Sequence, residues 1–185
     1  AGAKRLADAL RQWPGGRMVV HITEMPIKCP VAPLEFAFLV DDYLDQHGLR
    51  RATELSFVTP LDGAFTKPVA KQELGESFVK RGIHLVTDFM VERVDAKAHK
   101  LVAYDGTEVP YDMLVTIPIN MGADYVARSG LGDELNLVPN DPATLVADGH
   151  PDIFVLGDAG TIPTSKAGAV AHFSIDIFME NFEQY

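Results

Sequence analysis

Arg17-Met18-Val19-Val20-His21-Ile22, then Ile27-Lys28-Cys29-Pro30-Val31-Ala32-Pro33-Leu34-Glu35, decides the fold and holds the only cysteine of the chain. The first run is apolar and β-branched, as in a strand buried on both faces. From Pro33 to His47 the pattern predicts an amphipathic helix with Leu34, Phe38 and the Leu39/Val40 pair on one side. A strand feeding a helix is where a dinucleotide-binding unit places its glycine-rich turn, so that backbone can approach a pyrophosphate. This turn carries Met25, Pro26, Pro30 and Pro33, with no glycine between Gly16 and Gly48. Prolines remove N–H donors and cannot adopt positive φ, so this turn is ill suited to a pyrophosphate and offers a thiol in its place.

Reading outward, strand and helix alternate. Ala3 to Trp13 reads as a short helix, and Pro14-Gly15-Gly16 turns into the first strand. Glu54 to Thr59 and Ile83 to Val86 read as strands. Between them Val69 to Lys80 reads as a helix with Leu74, Phe78 and Val79 facing inward, stopped at Arg81-Gly82. The order βαβαβ implies a parallel sheet with right-handed crossovers. Phe89 to Val94, Lys100 to Tyr104 and Thr107 to Val109 read as short antiparallel strands around the turn Asp105-Gly106. Asp112 to Ile117 returns to the parallel sheet. The expected fold is therefore α/β: a Rossmann-like parallel sheet with an antiparallel β-meander over residues 1–117, and a partial second α/β domain over 118–185. From Pro118 the texture is loop. Then Asp152 to Gly160 reads as a buried strand ending in Gly157-Asp158-Ala159, followed by a helix from about Ser165 to Phe182. Its apolar face is Val170, Phe173, Ile177 and Phe178, and Gly168 permits close packing.

Composition narrows the function. The chain has 185 residues, 47% of them hydrophobic, and a net charge of -10 without clustered Lys or Arg, which argues against nucleic acid. No apolar run reaches the about 18 to 20 residues of a spanning helix. One cysteine excludes an internal disulfide, and the six histidines show no ligand spacing, so no metal site is expected. Cys29 has two readings. It is a small residue filling space behind the strand, or a reactive thiol near a helix start and beside Lys28, both of which stabilise the thiolate. The bracketing prolines favour the second, because they stiffen the loop and hold the sulfur in place. Asp158 also has two. It is a turn or cap residue, or a carboxylate at a strand's carboxyl end, placed to accept hydrogen bonds from ligand hydroxyls while the next helix N-terminus faces an electron-rich ring.

Lys28-Cys29-Pro30-Val31-Ala32-Pro33 with Glu35-Phe36-Ala37-Phe38, and later Leu156-Gly157-Asp158-Ala159 with Pro163-Thr164-Ser165-Lys166-Ala167-Gly168, resemble the sulfide:quinone oxidoreductases and their flavocytochrome c sulfide dehydrogenase relatives. These are two-dinucleotide-domain flavoproteins, and the resemblance runs over nearly the whole chain. It implies that Cys29 is the redox cysteine that carries sulfur near FAD, with Lys28 beside it. It implies that Asp158, between Gly157 and Ala159, hydrogen-bonds the ribityl chain, and that Lys166, Ala167 and Gly168 lie near the pyrimidine end of the flavin. Read alone, Lys166 is equally a solvated first-turn lysine. The implied partners are sulfide or a related sulfur donor and quinone, with electrons passing from sulfur through FAD to quinone. The family's Gly-x-Gly-x-x-Gly fingerprint and its carboxyl-terminal, membrane-facing region with a further cysteine are not in this sequence. The expectation is an internal piece: an NADH-type domain without its nucleotide loop, plus part of an FAD domain. By itself it would bind no FAD tightly, turn over nothing and self-associate through apolar surface. Two other readings are a type II NADH dehydrogenase-like or ferredoxin reductase-like flavoprotein, and a non-catalytic assembly or interaction domain. The expected location is the cytoplasm or the periphery of a bacterial membrane.

Overall fold

The computed structural model describes residues 2–184 and consists of two compact units, Ala1–Met25 with Val31–Pro118, and Pro26–Pro30 with Ile119–Tyr185. The cysteine-bearing segment Pro26–Pro30, which the sequence reading kept in the first part, groups with the second unit.

In the first unit, helix α1 (Gly2–Arg11) leads into strand β1 (Gly16–Ile22). Gly16 is required there. Its φ is +121°, and a Cβ would stand 2.9 Å from Asp112 Oδ2. That carboxylate accepts the Arg17 main-chain N–H at 2.8 Å and its guanidinium at 3.0 and 2.8 Å. Helix α2 (Ala32–Gln46), strand β2 (Thr53–Val58), helix α3 (Pro68–Arg81) and strand β3 (His84–Val86) follow. Pro33 and Pro68 sit in the first turns of their helices, where a missing N–H costs nothing. Gly82 ends α3 in the left-handed region at φ +63°. A three-stranded antiparallel meander, β4 (Val91–Asp95), β5 (Lys100–Ala103) and β6 (Glu108–Pro110), precedes β7 (Met113–Ile117). The main sheet runs β3-β2-β1-β7 with every pairing parallel, an α/β fold of Rossmann type.

Register assigns the two faces of this sheet. Val20 aligns with Phe57, and Phe78 of α3 packs between Phe57 and Phe38 of α2 at ring separations of 5.2 and 5.0 Å, so both helices cover that face. One residue along, the side chains point the other way. Val19 and Val58 join Phe89, Leu101, Ala103 and Tyr111 in a cluster that packs the meander against the opposite face. Asp41, 6% exposed, ties the helical layer together. It accepts from Arg50, and from Arg81 Nη1 at 2.9 Å. Arg50 in turn donates to the Arg81 and Gly82 carbonyls at the end of α3. Two residues expected inside lie outside: Leu39 is 69% and Val79 80% exposed, because each flanks the buried stripe by one position.

The second unit is less regular. The stretch read as loop contains α4 (Asp124–Ser129), too short for periodicity to reveal. Asp133 and Asp141 order the rest by accepting main-chain N–H groups two to four residues ahead. The expected buried strand before Gly157 is instead β9 (His150–Phe154), a largely exposed strand paired antiparallel only with β8 (Val146–Ala147). Burial is local: Val126, Val138, Ala147 and Val155 form one small cluster. Helix α5 (Gly168–Phe182) begins three residues later than expected, and its predicted apolar face is not covered. Val170 and Phe178 are half-buried, while Phe173 is 67% and Ile177 41% exposed.

Candidate functional site

The residues singled out by sequence meet in the second unit. Lys28 and Lys166 form a parallel β-bridge, and the Cys29 N–H donates to the Lys166 carbonyl at 2.7 Å. Cys29 adopts φ +51°, a left-handed backbone that residues other than glycine seldom take, and its thiol is exposed. The reading of Cys29 as filler behind a strand therefore fails. Lys28 Nζ lies 3.9 Å from Asp158 Oδ2, with both side chains half-exposed.

Asp158 occupies a single 3-10 turn, Gly157–Ala159. Gly157 opens it at φ +64°, and a Cβ there would meet Ala171 Cβ of α5 at 3.2 Å, so the turn and the helix approach through the missing side chain. The Ala159 carbonyl accepts from Val138 N at 2.8 Å, and Thr161 N donates to Val138 O and to Asn140 Oδ1, both at 3.1 Å. Gly160 is bridged to Val138, and a Cβ on it would come within 2.5 Å of Asn140 Oδ1.

Lys166 is not the solvated lysine of the bland reading. It is 9% exposed, and its amine donates to the Gly160 carbonyl. Burial pushes its pKa below the ordinary lysine value, partly opposed by the nearby Asp158 carboxylate and reinforced by Lys28. Ala167 precedes α5 with no side-chain cap, which leaves first-turn N–H groups open to a ligand. Gly168, expected to permit close packing, meets nothing within 4 Å of an added Cβ; it leaves open space at the helix start instead. Val138, Asn140 and Gly160, which brace the Asp158 turn, lie outside the residues that the sequence singles out. The only signal for them was the second glycine of Gly157-Asp158-Ala159-Gly160. Among the described residues there is no cluster able to hold a metal ion, and no helix is long and apolar enough to cross a membrane.

No family model matches the chain. The mitochondrial sulfide:quinone oxidoreductase of Schizosaccharomyces pombe is 24% identical over 190 residues, covering 97% of this chain and 41% of the relative. That of Dictyostelium discoideum is 29% identical over 174 residues, covering 91% and 38%. The mouse protein is 28% identical over 167 residues, covering 87% and 37%. Over most of its length the chain is similar in sequence to the sulfide:quinone oxidoreductases. It spans about two fifths of the length of these curated relatives. The solved sulfide:quinone oxidoreductase of Aquifex aeolicus shares the fold with a TM-score of 0.71 at 20% identity, over 96% of this chain and 47% of that one. A ferredoxin reductase from Rhodopseudomonas palustris shares it with a TM-score of 0.58 at 17% identity, over 85% and 36%.

Proposed function

We propose that this chain is part of an FAD-dependent oxidoreductase that oxidises sulfide, or a related sulfur donor, through Cys29 and delivers the electrons to quinone at a membrane surface. The observation that carries the reading is an exposed cysteine joined, within one unit, to the Gly157-Asp158-Ala159 turn and the Lys166 segment, in a homologue of proteins named for that activity.

The residues present fit a flavin. The Asp158 carboxylate is half-exposed and keeps lone pairs beyond its Lys28 contact to accept from ribityl hydroxyls, and uncapped N–H groups with open space at Gly168 suit the polar pyrimidine edge of the ring. When bound, FAD supplies the two-electron acceptor. The chain's own part is nucleophilic exchange. Hydrosulfide attacks a disulfide between Cys29 and a second sulfur from outside this chain; one S–S bond forms as the other breaks, leaving a persulfide and a thiolate. Lys28, adjacent to Cys29 in the chain, turns its amine toward Asp158 at 3.9 Å and so ties the cysteine segment to the Asp158 turn. Cys29→Ser in the full-length, FAD-loaded protein is expected to abolish sulfide-dependent bleaching of the flavin absorbance; undiminished bleaching would overturn the role.

A second reading is a type II NADH dehydrogenase-like or ferredoxin reductase-like flavoprotein, with which this chain shares the fold alone. The proline-bearing connection from β1 to α2 opposes it, because it lacks the glycines that let backbone approach a pyrophosphate. A thermal-shift titration separates the two, since a nucleotide that binds only the native state raises Tm. For the chain by itself, weak FAD retention and self-association through the uncovered apolar residues of α5 are expected, read by gel filtration and sedimentation velocity.

A further inference from the structure

Lys166 stands where two groups of contacts cross. Its main chain bridges Lys28, and its carbonyl takes the Cys29 N–H at 2.7 Å. Its side chain is buried and reaches the carbonyl of Gly160, the buried residue that follows the Asp158 turn. At the other side of this crossing, Cys29 is held at φ +51°. A left-handed non-glycine residue costs about 1 kcal/mol and persists only where its surroundings hold it.

We propose that Lys166 is the positioning residue for Cys29: its carbonyl clamps the cysteine's main chain while its amine anchors the same segment to the Gly160 carbonyl beside Asp158. The sulfur is thereby placed by the loop that precedes α5. The two halves of the clamp depend on each other. Without the amine, the Gly160 carbonyl loses a buried donor and the Lys166 main chain loses its anchor, so the strained Cys29 backbone is released. This inference rests on Cys29 as the sulfur carrier, but its test needs neither flavin nor sulfide, so it can fail independently of that reading.

The test is amide hydrogen exchange at single-residue resolution on the chain itself. In the unaltered protein, Cys29 N–H is expected to be protected well above the unfolded rate; exchange at the unfolded rate overturns the proposal before any variant is made. Lys166→Met keeps the aliphatic stem and removes the donor. It is expected to speed exchange at Cys29 about tenfold or more while the β1 amide of Val20 is unchanged. Lys166→Arg, which can still donate, should restore part of the protection. Lys28→Met removes the half-exposed amine 3.9 Å from Asp158 but no contact of the clamp, and should leave the protection intact. Equal protection of Cys29 in Lys166→Met and the unaltered chain overturns the clamp, as does equal loss in Lys28→Met. The same variants treated with iodoacetamide across pH give the second readout. The pH-independent rate of Cys29 alkylation should move in Lys166→Met and return part of the way in Lys166→Arg.

Discussion

Helices α2 and α5 are both 15 residues long and both rich in apolar side chains, yet α2 buries Pro33, Leu34, Ala37, Val40, Asp41 and Leu44 while α5 buries none. The difference is one of partners. Against α2 stand Phe78 and the sheet side chains of β1 and β2, whereas α5 meets the Gly157 turn, with Phe154 edge-on to Phe178 at 5.1 Å and Asn181 Nδ2 donating to the Ala143 carbonyl at 3.1 Å. A hydrophobic stripe shows that a helix will form and which face is sticky; whether that face is covered depends on what else the protein brings to it.

The largest expected effect tests this contrast directly. Phe78→Ala empties a site with no solvent exposure and is expected to cost about 3 to 5 kcal/mol in urea unfolding. Phe173→Ala, on the uncovered side of α5, should change stability by no more than about 0.5 kcal/mol. Similar costs for the two would mean that α5 is covered in solution, by a second copy or otherwise, and sedimentation of the same samples would show it.

Next in size is the charge cluster of the first unit. Asp41→Ala leaves Arg50 without its carboxylate in a largely buried place and removes the link to Arg81, and is expected to cost about 3 kcal/mol. The exposed pairs of Asp8 with Lys4 and Arg11 on α1 are the control, where Asp8→Ala should cost about 0.5 kcal/mol, as for surface ion pairs on a helix. An equal effect at both places would show that the Asp41 cluster is solvated and that α2 and α3 are held by Phe78 alone.

How much of this was legible in the sequence follows the same line. The parallel order of the first unit could be read because β1, β2 and β7 are apolar runs divided by turn residues, and parallel pairing in a sheet covered on both faces leaves that mark. Leu39 and Val79 were misplaced because periodicity fixes a stripe's centre better than its edges. In the second unit, α4 was too short to show, and the turns at Asp133 and Asp141 are built by single side chains whose partners lie within four residues. The Cys29 and Asp158 segments were found by motif. Their joining through Lys166 was not, since a β-bridge between residues 28 and 166 leaves no local trace. Asn140 left even less, because its use depends wholly on the missing Cβ of Gly160.

His21 gives a pH-dependent version of the comparison. It is fully buried in β1, with Nδ1 2.9 Å from Thr116 Oγ1, and Phe89 edge-on to its ring. Burial pushes its pKa from 6.5 down to about 4. The folded chain therefore keeps the imidazole neutral while the unfolded chain takes up a proton below about pH 6.5. Stability of the first unit should fall by up to about 1.4 kcal/mol per pH unit between that value and pH 4, and no loss is due to this group above it. His21→Phe should flatten that part of the urea-midpoint profile. A variant that retains the full slope would assign it to carboxylates.

The smallest effects separate two glycines of the second unit that a motif treats alike. Gly157 has a left-handed backbone and a neighbouring Cβ at 3.2 Å, so Gly157→Ala must both strain φ and push against Ala171, at an expected cost of about 1 to 2 kcal/mol. Gly168 begins α5 with open space around it, so Gly168→Ala meets no neighbour and gains helix propensity, a stabilisation of about 0.5 kcal/mol at a first-turn position. The two changes therefore have opposite signs in thermal unfolding, although both glycines flank the same residues. If the site is used as proposed, the order reverses for ligand access. Alanine at 168 fills the open space at the helix start and should weaken FAD binding to the full-length protein, whereas Gly157→Ala acts by shifting the Asp158 turn. A Gly168→Ala protein that is both more stable and undiminished in FAD affinity would mean that the start of α5 does not meet the flavin.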